Sequence, residues 1–266
     1  MQLIRLGNLP LVTGSFANAA DWLVERALAA PVRPVVVSHI NACNYYYLQR
    51  KPVLRDRLAA EAILILDGIG MKIGCLMLGL GWLSDLNGTD LFPLVMERAS
   101  RERLRVFCLG SEQHVAASAA REISRCYPGI AIAGVHGGYF RANEEDDIVS
   151  SINESGAQML LIGRGFLIQE KFALKYLDRL SVSLVWNVGG LFDFVSGAKP
   201  RAPLSLRRVR LEWLYRFLRE PGRMWHRNLV AAPGFLVSIV YRRMREGTRR
   251  GSAETDFVEL PVASRR

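Results

Sequence analysis

The chain has 266 residues, half of them hydrophobic, enough for one sizeable α/β core with or without an appendage. The net charge of +10 lies almost wholly between Lys199 and Arg250, where 14 Lys or Arg face three Glu. Four scattered cysteines (Cys43, Cys75, Cys108, Cys126) without a C-x-x-C argue for buried free thiols in a reducing compartment. There is no leader-like opening and no apolar window fit to span a bilayer, so a cytoplasmic protein is expected.

Along the chain, short apolar runs alternate with helical patterns. Strands are predicted at 35–37, 63–66, 106–109, 130–132, 159–162 and 184–186. Helices are predicted at 44–58, 90–102, 112–126, 144–154 and 169–180. This alternation predicts an α/β fold: a Rossmann-like, mostly parallel sheet with helices on both faces, over residues 1–203. The acidic run 144–147 suits the first turn of a helix. After Pro203 the alternation stops, and 205–220 and 222–246 read as basic helices carrying Trp213, Tyr215, Phe217 and Trp225.

Residues 204–246 therefore form a basic helical appendage, and 247–266 an expected disordered tail. The run 229–241 is apolar but too short to span a bilayer, and Arg216, Arg219, Arg223 and Arg227 precede it while Arg242, Arg243 and Arg245 follow. Such a helix can lie on an anionic membrane surface or pack its apolar stripe on the core. Nucleic-acid binding by the basic region is the alternative from another class. It would leave the strand-end pocket described next without a use, so no nucleic-acid partner is expected.

In an open parallel sheet, ligands bind beyond the carboxyl ends of the strands. Glycines cluster there, at Gly68 and Gly70, Gly110, Gly137 and Gly138, Gly163 and Gly165, and Gly189 and Gly190, although none forms a strict phosphate-loop pattern. Polar residues share those turns: His39 and Asn41, Asp67, Asn87 with Thr89 and Asp90, Gln169 and Glu170, and Asp193. Each is open to a structural reading, Asn87 or Thr89 as a helix cap for instance. Together they describe a polar pocket. No metal is expected, since the four histidines are far apart and no D-x-D occurs; a G-x-S-x-G nucleophile is also missing.

From about residue 5 to 230 the chain resembles the WecG/TagA/CpsF bacterial glycosyltransferases. The stretches "GGLFDFVSGAKPRAP" (189–203) and "LEWLYRFLREPGRMWHR" (211–227) carry most of the resemblance, with "DGIG" (67–70), "NGTDL" (87–91), "HGGYF" (136–140) and "GFLIQEKF" (165–172) in family order. The resemblance implies an inverting, metal-independent transfer of a sugar from a UDP-sugar to a polyprenyl-diphosphate-linked sugar, without a cofactor. The enzyme would be peripheral on the cytoplasmic face of the inner membrane, with an anionic lipid surface as partner; self-association as a homo-oligomer is left open.

By motif, Asp67 would be the base that takes the acceptor proton. His39 would join it at the catalytic position, where the family more often has Thr. Asn41, Gly68, Thr89, Asp90, Gly138, Gln169, Glu170, Gly190 and Asp193 would bind substrate. Arg216, Arg223 and Arg227 would face the departing diphosphate in place of a metal. The family's usual Arg before the G-x-D segment is Asp85 here, and its Pro-Lys before Gln-Glu is Leu167-Ile168. These departures lean toward the branch that adds glucose in xanthan-type exopolysaccharide assembly; N-acetylmannosamine or its uronic acid is the alternative donor.

Overall fold

The computed structural model describes residues 1–29, 32–209 and 211–246. The tail 247–266 lies outside the described residues, as does the side chain of Arg223. Eight strands form one sheet: β1 (Gln2–Leu6), β2 (Leu9–Thr13), β3 (Val35–Ile40), β4 (Ala62–Leu66), β5 (Arg105–Gly110), β6 (Ala131–His136), β7 (Met159–Gly163) and β8 (Leu184–Asn187). Their order is β1-β2-β4-β3-β8-β7-β5-β6, parallel throughout except for the β1–β2 hairpin. The hairpin was not among the predicted strands. It turns at Gly7-Asn8, where Gly7 takes φ +67°, a conformation glycine adopts without strain.

Between and after the strands lie α1 (Phe16–Leu28), α2 (Ala42–Leu48), α3 (Pro52–Glu61), α4 (Ile69–Met77), α5 (Gly88–Arg101), α6 (Gln113–Cys126), α7 (Glu145–Glu154), α8 (Ile168–Lys175) and α9 (Leu191–Val195). The predicted helix 44–58 is two helices, because Pro52 cannot donate back to Leu48 and instead starts α3. Helices α1, α5, α6 and α9 cover one face of the sheet in a core around Trp186 and Phe192. Helices α2, α3, α4, α7 and α8 cover the other, around Leu64, Phe107 and Val185. Cys43, Cys75 and Cys108 are buried free thiols, as expected, whereas Cys126 is exposed at the end of α6.

The basic region forms α10 (Leu204–Arg208), α11 (Glu212–Arg219), α12 (Pro221–Trp225), a π-helical turn (His226–Ala231) and α13 (Ala232–Glu246). Pro233 lacks the N–H that would continue the α ladder back through this turn, a local reason for its widening. One stripe of α13 packs on the core: Phe235 and Ile239 are fully buried, and Phe235 meets Tyr45 edge-on at 5.3 Å. The fit depends on glycine, since a Cβ at Gly74 of α4 would lie 2.5 Å from Phe235 Cζ. The opposite stripe, Val237, Val240, Tyr241 and Met244, is exposed. Both readings of this helix thus have a face. Among the described residues no helix is long and apolar enough to cross a membrane.

Candidate active site

A cleft of about 1320 Å³ opens over the carboxyl ends of the strands, roofed on one side by the appendage. Asp67 stands at its floor, directly after β4, with its backbone N–H bonded to the Ile40 carbonyl of β3 (3.0 Å). Gly68 follows at φ +86°, and a Cβ there would enter open space, so the turn lets a ligand approach the acid closely. Asn41 caps α2, its Oδ1 accepting from the Cys43 and Asn44 N–H groups (3.0 Å each). Asn41 also lines the cleft.

Asn87 caps α5 by accepting from the Asp90 N–H (2.9 Å) and the Thr89 hydroxyl (3.0 Å). Pro93 sits inside α5 and cannot donate to the Thr89 carbonyl, which accepts instead from Arg201 (3.3 Å). Arg201 also bonds Thr89 Oγ1 and Asp90. The "NGTDL" and "GAKPRAP" segments are thus one cross-linked wall. Burial works to raise the Asp90 pKa, but the hydrogen bonds from Asn87 and Arg201 leave it below the ordinary value.

The wall beyond β7 and β8 is built from Gln169 and Glu170. Gln169 accepts the Gly189 N–H (3.0 Å) and donates to Glu170 (2.9 Å), which fixes the Gly189-Gly190 turn. Glu170 is fully buried and also accepts the Leu167 N–H (2.7 Å), holding Leu167 at φ +73°, a strained conformation for leucine. Burial pushes Glu170 up to about 7, against the hydrogen bonds it accepts. Asp193 accepts from Ser111 (2.8 Å) and pairs with Lys199 (3.3 Å), which also pairs with Glu220 of the appendage (2.9 Å). Arg164, between Gly163 and Gly165, donates to the Gly138 carbonyl (2.7 Å) and lies 3.7 Å over the Phe140 ring.

Arg216 and Arg227 reach the cleft from α11 and from the π-turn, which also brings Asn228 there. Cys43 Sγ donates to the Arg227 carbonyl (3.2 Å), tying the turn to α2. Burial pushes the Asp67 carboxyl up to about 6; Arg227 and Arg216 pull it down while Asp85 and Glu212 push it up. His39 accepts a hydrogen bond at Nε2 from the Trp186 indole (2.9 Å), so its proton belongs on Nδ1. Burial lowers its pKa to about 4, which keeps the ring neutral near neutral pH.

Of the residues expected at the site, Asp67, His39, Asn41, Gly68, Thr89, Asp90, Gly138, Gln169, Gly190, Asp193, Arg216 and Arg227 line this one cleft. Glu170 lies behind it, and Arg223 lies outside the described side chains. Sequence reasoning missed Arg164, Arg207, Asn187 and Asn228, which also line it. A cation between two glycines at a strand end was the available signal for Arg164. Asn187 is buried on β8 with Nδ2 donating to Ser38 (2.7 Å), and its Oδ1 has no partner among the described residues. No group of three His, Cys, Asp or Glu among the described residues is placed to hold a metal ion.

A cleft over the carboxyl ends of a parallel sheet, lined by a carboxylate of raised pKa and by arginines from a helical roof, is the place and the chemistry expected of an enzyme active site. The chain belongs to the glycosyl transferase WecG/TagA/CpsF family, whose model matches residues 4–249, and it is a glycosyltransferase. It is similar to an N-acetylglucosaminyldiphosphoundecaprenol N-acetyl-beta-D-mannosaminyltransferase of Bacillus spizizenii, with 32% identity over 69% of this chain and 70% of the relative. A protein of the same description from Bacillus subtilis is 26% identical over 97% of this chain and 99% of its own length.

Proposed function

We propose that this glycosyltransferase moves N-acetylmannosamine from its UDP-linked form to an N-acetylglucosamine carried on a polyprenyl diphosphate. The observation that carries the chemistry is the placement of Asp67 at the cleft floor opposite Arg216 and Arg227. Asp67 takes the proton from the acceptor hydroxyl. That oxygen bonds the anomeric carbon as the bond to the donor phosphate breaks, and the electron pair leaves with UDP. Because attack and departure lie on opposite sides, the anomeric configuration inverts. Arg216 and Arg227 meet the charge developing on the diphosphate. The neutral, indole-bonded His39 positions the cleft wall, and the Gln169–Glu170 pair holds the Gly189-Gly190 turn against the donor.

The lean toward glucose is given up. It rested on departures at His39, Asp85, Leu167 and Ile168, whereas the relatives that span this chain carry the mannosaminyl description, which favours the alternative donor. Nucleic-acid binding is disfavoured by where the basic region spends its charge: Arg201 on Asp90, Lys199 on Asp193 and Glu220, Arg216 and Arg227 on the cleft. The exposed outer stripe of α13, with Arg243 and Arg245 at its end, suits a peripheral contact with an anionic membrane.

UDP release measured against a panel of UDP-sugars, with an N-acetylglucosaminyl polyprenyl diphosphate as acceptor, tests the reading. Turnover should be fastest with UDP–N-acetylmannosamine; faster turnover with UDP-glucose would overturn the donor assignment. Val237→Asp with Met244→Asp should lower co-sedimentation with anionic vesicles while leaving the melting temperature unchanged. Undiminished co-sedimentation would remove α13 from the membrane contact.

A further inference from the structure

Helix α4 begins at Ile69, two residues beyond Asp67, and leads away from the cleft. At 100° per residue, Ile69, Ile73 and Leu76 fall within about 60° of one another on its surface, and span roughly 10 Å along it. Ile69 lines the cleft, while Ile73 and Leu76 are 36% and 50% exposed. The other side of the helix, Met71, Gly74 and Cys75, is buried against the core and α13. Ile73 and Leu76 thus carry onto the surface an apolar line that starts at the cleft.

The stripe has a built flank. Lys72 borders it on the helix surface, is itself 6% exposed, and lies with Nζ 4.6 Å from the Trp82 ring centroid. The indole is 58% exposed and stands next to Gly81, one of two loop glycines at φ near +80° with open space beside them. At its outer end the stripe reaches Met77, whose carbonyl accepts a hydrogen bond from Arg243 of α13. It therefore runs from beside Asp67 to the end of α4 that Arg243 of α13 bonds, on a side of α4 other than the one Phe235 packs against.

We propose that the Ile69–Ile73–Leu76 stripe, flanked by Trp82, is the track for the first isoprene units of the polyprenyl-diphosphate acceptor. This rests on the function proposed above. The acceptor has to present a sugar to Asp67 while its lipid remains in the bilayer. An apolar stripe that starts at the cleft and leads about 10 Å along α4 gives the first isoprene units a surface to lie on while the sugar reaches Asp67. A lipid lying along one helix face also leaves the sugar–diphosphate end near the cleft mouth, within the reach of its arginines.

The test uses Ile73→Gln and Leu76→Gln, singly and together, in the full chain. Both sites are exposed and glutamine is a good helix former, so folding is kept. Transfer is measured with two acceptors of identical sugar diphosphate, one on an undecaprenyl chain in detergent and one on a short water-soluble alkyl group. The double variant should raise KM for the long-chain acceptor about tenfold or more, and leave kcat/KM for the short one, the donor KM and vesicle co-sedimentation unchanged. Equal effects on both acceptors, or none, would overturn the track. A fall in vesicle binding of the same size would assign the stripe to the membrane surface instead, and a change in oligomeric mass would assign it to a second copy; either result overturns the proposal. Wild-type protein that transfers to neither acceptor would overturn the donor and acceptor proposed above, and the track with them, which is a different outcome from active wild type with indifferent variants.

Discussion

Asp67→Asn separates what the carboxylate does for the reaction from what it does to the fold. Removal of a general base lowers the rate about 10²- to 10⁴-fold. Stability should move the other way. The Asp67 pKa rises from 3.8 in the unfolded chain to about 6 in the folded protein, chiefly through burial. A carboxyl group with a raised folded pKa contributes its full stability below the unfolded value and loses it as pH climbs through the folded one. The difference corresponds to about 3 kcal/mol by pH 7 and above. In a chain of this size that is roughly 6–10 °C in melting temperature. Melts of wild type and Asp67→Asn at pH 4, 6 and 8 should coincide at the acid end and diverge upward, with the variant the more stable. The wild-type kcat/KM should fall below about pH 6 as the base is protonated. A melting gap independent of pH would refute the burial account; retained activity in the variant would refute the base.

Other substitutions read other parts of the site. Arg164→Ala should raise the donor KM about tenfold with little change in kcat, measured in steady state, because its guanidinium faces the cleft from a fixed seat on Gly138 and Phe140. Glu170→Ala should cost about 1–3 kcal/mol by leaving the Leu167 N–H and the Gln169 amide without their acceptor, and should raise the donor KM through the Gly189-Gly190 turn. Gly74→Ala should destabilise by about 1–3 kcal/mol through overlap with Phe235, and Phe235→Leu should recover part of the loss in a double-variant denaturation series.

The central strands were legible because both of their faces are buried, which turns them into unbroken apolar runs. The β1–β2 hairpin was not, although Gly7-Asn8 between two apolar runs was a usable turn signal. The appendage shows a deeper limit. Phe235 and Ile239 are one stripe of α13 and Val237, Val240 and Met244 another, so the helix is apolar on two sides. Which side meets the core depends on Gly74, some 160 positions away, and no local pattern reports that. For the same reason truncation near residue 203 would strip Phe235 from the core and is a poor test of membrane binding. The site was legible at the level of strand ends, since each acid or amide after a buried strand must face the same edge. Direction was not: Glu170 turns inward to hold Leu167, while Arg164 turns out.

Asp85 links the departures from the family pattern to the chemistry. It is 3% exposed, and its charge adds to the burial that lifts Asp67. A higher pKa makes a stronger base, at the expense of its ionised fraction at low pH. With a carboxylate at 85, positive charge near Asp67 has to come from elsewhere, and Arg227 and Arg216 of the appendage are the groups that pull Asp67 down. In the proposed function the same two arginines would serve both the departing diphosphate and the ionisation of Asp67. Asp85→Asn should move the acid limb of kcat/KM to lower pH, whereas Arg227→Gln should move it to higher pH and raise the donor KM as well. Limbs that stay fixed in both variants would detach Asp67 from the pH dependence and refute it as the base.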